Sequence, residues 1–373
     1  MENKKIQVWM LIVLLLCSCG KEPQTSSISN EVTSSISPSI SISSTSSHKE
    51  TINDFSGTEA SRSFNKKGYE VLYKDINFKN GFILSKTSTS AEGGSRYEEH
   101  LKYYEEAKYY QPFWNLAQWG TRHDLYHNYE LTHSEDGFTY GYTALSGKTL
   151  GNTFIPAKRV QFNSKTGEID LELNAETEYD EPRKKGERWP HLLLGQDFSN
   201  NLVHISSARS IVMEAEFEVT KFEDKILSLA DPSLHAAQLV WYITIQNRNR
   251  SSANYGSYVW LGVPLWDNRK AGKETELFAQ LDTGTSSLMY NSSTREYYSQ
   301  SNDSKMPLIH QKAKATLEVT KAARLAYDYA ITHGYLGSTE FEDLYIGSTN
   351  FGFEVSGMYN IAVHFDNIGV YYK

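Results

Sequence analysis

Apolar and polar residues alternate with a period of two along most of the chain beyond residue 68. That period marks strands with one face in a core and the other toward water. The pattern is sharpest in three central stretches. Across 210–220, Met213, Ala215, Phe217 and Val219 alternate with Glu214, Glu216 and Glu218. Across 238–246, Leu239, Trp241, Ile243 and Ile245 take one face, and Gln238, Tyr242, Thr244 and Gln246 the other. Across 258–265, Val259, Leu261, Val263 and Leu265 oppose Tyr258 and Trp260, and residues 277–282 alternate likewise. Further strands are predicted over 70–76, 82–85, 113–118, 138–144, 343–346 and 359–372. A hairpin is predicted where 160–162 and 168–176 flank the turn cluster Ser164-Lys165-Thr166-Gly167. Residues 95–111 read as a helix or a polar insertion. Residues 314–334 read as a helix closed by Gly334. Many strands, closely spaced turns and few helices predict an all-β jelly-roll sandwich with a few helical insertions, formed as one domain over 65–373.

The amino terminus follows a different rule. Lys4 and Lys5 precede a largely apolar run from Ile6 to Leu16. As a helix that run spans about 16 Å, roughly half of a bilayer core, so it reads as a signal-peptide core. It ends Leu16-Cys17-Ser18-Cys19-Gly20, which resembles the lipobox of bacterial lipoproteins. The resemblance implies a signal peptide over 1–18, cleavage before Cys19 and lipid on its sulfur. It also implies an extracytoplasmic domain anchored at the cell membrane or outer membrane. Both cysteines lie in this segment, so a chain cut there has no partner for a disulfide. Residues 26–47 are mostly serine and bury too little apolar surface to offset their ordering entropy. The stretch 19–64 is therefore expected to be a disordered tether with a mean span of roughly 35–40 Å.

Composition narrows the partners. The net charge is −8 and no basic cluster stands out, which argues against nucleic acid. The 25 tyrosines and 7 tryptophans suit pleated sheets and sugar sites. A monomer is expected, with the lipid as its one contact to membrane.

The first candidate site is the polar face of the central strands, expected to be the concave side of a curved sheet. Glu214, Glu216, Gln238, Tyr242, Gln246, Tyr258, Trp260, Gln280 and Asp282 all fall on it by alternation. Rings suit the C–H face of a pyranose, and amides and carboxylates suit its hydroxyls. The plainer reading is an ordinary solvated sheet face. The closing stretch LYIGS…GFEVSG…IAVHF (344–348, 352–357, 361–365) resembles the last strands of concanavalin A-like carbohydrate-binding and polysaccharide-processing proteins. That resemblance implies a concanavalin A-like sandwich that takes a polysaccharide or oligosaccharide.

The second candidate, Glu168-Ile169-Asp170-Leu171-Glu172, resembles the Glu-x-Asp-x-Glu strand of laminarinase-type retaining glycosidases. Carried over, Glu168 is the nucleophile, Asp170 assists, and Glu172 is the acid/base. Residues i, i+2 and i+4 of a strand share a face. Leu171, and a Trp189-Pro190 pair that follows the motif, depart from the family pattern. In Trp189-Pro190-His191-Leu192-Leu193-Leu194-Gly195-Gln196, His191 and Gln196 are read either as ligand-facing or as structural groups at a sheet end. Trp114 and Trp119 read either as core or as a sugar platform. His123 and His127 share a helical spacing but lack a third ligand, so no metal site is assigned. No cofactor is expected, with structural calcium in acidic loops left open. Three functions follow: a glycan-binding surface lipoprotein, a polysaccharide hydrolase or lyase, or a structural partner-binding surface protein.

Overall fold

The computed structural model describes residues 68–87, 96–101, 112–125, 129–135, 137–282, 284–299 and 301–373. In chain order the strands are β1 (Glu70–Val71), β2 (Phe82–Thr87), β3 (Arg96–Leu101), β4 (Trp114–Ala117), β5 (Tyr129–His133) and β6 (Thr139–Leu150). Then come β7 (Thr153–Asn163), β8 (Ile169–Asn174), β9 (His191–Asp197), β10 (Val203–His204), β11 (Ile211–Asp224) and β12 (Ala237–Asn247). The rest are β13 (Tyr258–Asp267), β14 (Phe278–Asp282), β15 (Ser287–Asn291), β16 (Ala313–Glu318), β17 (Leu344–Val355) and β18 (Tyr359–Tyr372). They form two sheets. An eight-stranded sheet runs β16-β11-β18-β8-β7-β6-β5, with β1 on β18. A ten-stranded sheet runs β14-β15-β13-β12-β17-β9-β4-β2-β3, with β10 on β17. All pairings are antiparallel except β13 with β15 and β2 with β4. The chain thus forms the expected all-β sandwich.

The core lies between the sheets. Phe217 and Phe365 from the eight-stranded sheet meet Phe351, Trp241 and Trp114 from the ten-stranded one in a single buried cluster. The Phe351 ring stands edge-on to both Phe365, at 5.4 Å, and Trp114, at 5.8 Å. Around Trp241 the polar atoms of this core are paired, where an unpaired one would cost about 1–3 kcal/mol. The Trp241 indole N–H donates to the Tyr73 hydroxyl and to Thr349 Oγ1, each at 3.1 Å, and Thr349 Oγ1 donates to the Tyr242 carbonyl at 3.0 Å.

The β7–β8 hairpin forms where the turn cluster placed it. Asn163 Oδ1 accepts the Lys165 and Thr166 amides, and Gly167 takes the left-handed φ of +75° that the turn requires. The late helix is corrected at its start. Residues 313–318 form β16, where Ala313, Ala315 and Leu317 face the core and pair with β11. Only then does helix α1 (Val319–Thr332) begin. Period-two alternation in that stretch outcompeted its helix-forming residues. Helix α1 buries Ala322, Ala323, Ala326 and Ala330 against β11, β13 and β16, closing the open side between the two sheet edges. Arg96–Leu101 is a strand rather than a helix, and residues 102–111 lie outside the described set, as do the leader, Cys19 and the serine-rich stretch. Among the described residues no helix is long and apolar enough to cross a membrane.

Beneath one end of the sandwich lies a buried ion pair. Lys158 Nζ, fully buried on β7, meets Glu178 Oε1 at 3.1 Å and donates to the His123 carbonyl at 2.6 Å and to the Thr121 hydroxyl. Glu178 also accepts from the Thr121 hydroxyl and the Arg122 amide. Burial opposes ionisation of Glu178, but Lys158 and these donors outweigh it and hold its pKa below the usual carboxylate range. The pair pins the segment 119–125 to the sheet. Gly120 in that segment has φ +65°, and a Cβ there would lie 2.1 Å from the Trp189 carbonyl oxygen.

Candidate functional site

Register on the ten-stranded sheet sorts its outward side chains into rows, since directly paired residues point the same way. The first row reads Asp267 (β13), Gln238 (β12), Glu354 (β17), His191 (β9). The second reads Pro264, Val240, Gly352, Leu193 and Ala117 (β4). The third reads Gly262, Tyr242, Asn350, Gly195 and Asn115, with Asn291 (β15) beside Gly262. Beyond them Thr244 pairs with Trp260, which pairs with Met289, and Gln246 pairs with Tyr258.

The floor of this face is apolar. Leu193, Val240 and Tyr242 are buried together, with Ala117, Trp260 and Met289 packed against them. Strand β12 is therefore buried on both faces along its middle, which corrects the expectation that Tyr242 is solvent-facing. The cause is local. Gly262 leaves room for the Tyr242 ring to lie flat against the sheet, where a Cβ would come 2.4 Å from Tyr242 Cε1. Tyr242 then meets the edge of Trp260 at 6.2 Å, and Trp260 meets Tyr258 at 5.4 Å. Trp260 and Asp282 are fixed together: the indole N–H donates to Thr285 Oγ1 at 3.4 Å, and that hydroxyl donates to Asp282.

The first row carries the chemistry. Gln238 Nε2 donates to Asp267 Oδ2 at 3.0 Å, and Arg269 neutralises the same carboxylate at 2.6 Å. Glu354 stands between Gln238 and His191. Burial, reinforced by the charge of Asp282 and partly offset by His191, raises its pKa above the ordinary carboxylate value. Burial, with the charges of Glu354 and Asp282, also pushes the Tyr242 hydroxyl up. These three groups thus share one electrostatic environment, although Asp282 stands on the outermost strand. Rings wall the end of the row. His191 lies 5.7 Å from Trp119 and 5.8 Å from Trp189, Arg183 caps Trp189 at 4.9 Å, and the His191 amide donates to the Trp119 carbonyl at 2.9 Å. The Asn350 side-chain oxygen, in the third row, is buried and finds no hydrogen-bond partner among the described residues.

Other expected site residues lie elsewhere. Glu168, Asp170 and Glu172 are on or just before β8, on the outer side of the eight-stranded sheet, with the core between them and Trp260. There Asp170 pairs with His364 at 2.8 Å, Glu172 with Lys221 at 3.1 Å and Arg159 at 3.5 Å, and Glu168 accepts the Thr166 hydroxyl at 2.9 Å. Glu214 and Glu216 face the same way and share Lys314, at 3.0 and 2.8 Å. The expectation that Glu214 and Glu216 share a face with Tyr242, Tyr258 and Trp260 is corrected, and the second candidate, Glu168, Asp170 and Glu172, belongs to the sheet opposite those rings. Alternation tells inward from outward but not which sheet a strand joins. Gln196 is also corrected: it is buried, and both ends of its amide bond the Lys74 backbone at 2.8 Å. Gln246 donates to the Gly256 carbonyl at 3.0 Å. Trp114 is core, whereas Trp119 is exposed at the rim. His123 gives its carbonyl to Lys158, and His127 lies outside the described residues. Among the described residues no group of three or more His, Cys, Asp or Glu could hold a metal.

Sequence reasoning passed over Glu354 as a site residue. The signal was present in Phe351-Gly352-Phe353-Glu354-Val355, where one acid interrupts an alternating apolar strand on its outward parity. A further feature follows from the finished sheet. Strands β4, β9, β12, β13, β14, β15 and β17, a contiguous run of this sheet, contain no Lys or Arg, whereas β2 and β3 at its far edge and β6, β7, β11 and β16 of the other sheet do.

No family model and no curated protein matches the chain. Solved structures give loose likenesses. A family 12 xyloglucanase from Bacillus licheniformis is 11% identical, over 69% of this chain and 100% of that one, with a TM-score of 0.36. A cellulase derived from one of Rhodothermus marinus is 9% identical over 69% and 100%, with a TM-score of 0.34. A family 11 xylanase from Neocallimastix patriciarum is 11% identical over 66% and 96%, also at 0.34. At this level the likenesses do not bear on what the face does, and the two-layer architecture rests on the strand pairing itself.

Proposed function

We propose that the outward face of the ten-stranded sheet binds an uncharged polysaccharide, and that a lipid on Cys19 holds the protein at a membrane surface. The observation that carries the binding reading is a cation-free run of strands that gathers Tyr242, Tyr258, Trp260, Gln238, Asn350 and Glu354 on one side. The half-buried Tyr258 and Trp260 rings offer apolar area to a sugar face, beside the buried Tyr242. Gln238 and Glu354 offer polar groups to sugar hydroxyls, and the Asn350 side-chain oxygen has no partner among the described residues. Asp282 repels polyanions such as pectate, and of the cations beside the face Arg269 is already bound by Asp267 and Arg183 lies over Trp189.

Affinity electrophoresis of the protein through gels containing neutral or anionic polysaccharides tests this. Retardation is expected by at least one neutral β-glucan or xylan and by no polyanion. Trp260→Ala should weaken it about tenfold, roughly 1.4 kcal/mol. Free migration in every neutral gel, or equal retardation by pectate, refutes the reading. For the anchor, Cys19→Ala should abolish incorporation of labelled palmitate in cells, and undiminished labelling would sink it.

A further inference from the structure

The same face bears on whether a bound glycan is cut. Hydrolysis with retention needs two carboxyl groups about 5–5.5 Å apart, one to attack the anomeric carbon and one to protonate the departing oxygen. Directly paired residues on neighbouring antiparallel strands hold their Cβ atoms about 4.5–5.5 Å apart, so the side chains of two acids in one row of this sheet can bring their carboxyl groups to that spacing. Glu354 occupies such a row, where burial raises its pKa above the ordinary carboxylate value, and its two paired neighbours are Gln238 and His191. Neither is a carboxylate. The next residue along, Asp267, is bound by Arg269 and by the Gln238 amide. Asp282 lies on the outermost strand, where its oxygens accept the Gly284 amide at 3.1 Å and the Thr285 hydroxyl.

We propose that Gln238 and Glu354 form an amide–acid pair with the layout of a retaining glycosidase pair, and that the site binds its glycan without cleaving it because Gln238 cannot act as the nucleophile. This rests on the reading that the face binds glycan. The amide oxygen is uncharged, and its attack on the anomeric carbon would leave a cationic imidate in place of a neutral ester, so the barrier stays high.

Gln238→Glu restores the missing group, and the chemistry then balances. The introduced carboxylate oxygen bonds to the anomeric carbon as the glycosidic C–O bond breaks. The bonding pair leaves with the departing oxygen, which takes the Glu354 proton. In the second step Glu354, now a carboxylate, accepts a proton from water. The water oxygen bonds to the anomeric carbon, and the introduced carboxylate departs with the electron pair of its ester bond.

The test uses the full-length protein with the neutral polysaccharide that retards it most, following reducing ends and the anomeric configuration of the products. The wild type should bind and release no more reducing ends than the blank. Gln238→Glu should release them at least about 100-fold above that background, with retained configuration, and Gln238→Glu/Glu354→Gln should return to background. Gln238→Glu/Asp267→Asn, which relieves carboxylate crowding in the row, provides a second version should the single variant be unstable. Release by the wild type that disappears in Glu354→Gln or Asp282→Asn overturns the proposal. So does a folded, glycan-binding Gln238→Glu, alone or with Asp267→Asn, that cuts nothing. Absence of binding by the wild type instead removes the functional reading beneath it.

Discussion

Replacing Lys158 by methionine exposes how the segment beside the site is held. The Lys158 ammonium has three donors, and all are used: on Glu178, on the His123 carbonyl and on the Thr121 hydroxyl. Lys158→Met leaves a nearly fully buried Glu178 carboxylate without its cation and removes the ammonium from the His123 carbonyl, which keeps the Thr121 hydroxyl at 3.1 Å. Breaking one side of a buried pair costs about 3–5 kcal/mol. With a urea m-value of about 3 kcal/mol/M for a domain of this size, the midpoint should fall by about 1–1.7 M. Glu178→Leu should cost a similar amount, because it strands the ammonium. The double variant Lys158→Met/Glu178→Leu removes both charges and fills the space with apolar groups. It should recover to within about 1 kcal/mol of the parent, since apolar replacement of a whole buried pair is often neutral. Urea titrations of the four proteins at pH 7, read by tryptophan fluorescence and by circular dichroism, complete the cycle. Strict additivity, with the double variant losing the sum of the two singles, would show that the groups do not act as a pair and refute the reasoning.

Two further predictions concern pH. Glu354 has a raised pKa in the folded protein, so from the ordinary carboxylate value up to its folded value the native state holds a proton that the unfolded chain has lost. Stability should therefore fall as pH rises through that window. Glu354→Gln removes the effect, so its stability relative to wild type should be greater at pH 8 than at pH 4, and urea midpoints at the two values that differ equally for both proteins would contradict the assignment. His364 shifts upward chiefly through its hydrogen bond to Asp170. Its contribution is complete below the unfolded histidine pKa and is lost as pH rises through the folded value. In Asp170→Asn the His364 ring should titrate at a lower pH by NMR, and an unmoved midpoint counts against the pair.

The sequence alone determined that strands would dominate and which residues of each strand face a core. Steric alternation on a pleated backbone is local, and Met213, Phe217, Trp241, Ile243, Val259 and Leu261 are all buried where it placed them. It also carried the β7–β8 turn, because Asn163 and Gly167 satisfy that turn within a few residues. It misjudged the start of the late helix, where pairing with β11 decided between two local preferences. Only the tertiary structure decided which outward faces belong together. Glu172 and Trp260 obey the same alternation, yet β8 joined one sheet and β13 the other, placing the whole core between them. Glu354 became a candidate only when β17 set it between Gln238 and His191, residues 116 and 163 positions away in the chain. Its burial and its neighbours, which give the carboxyl its character, come from long-range strand pairing, and hydrophobic periodicity says which way a strand faces without saying which strand lies beside it.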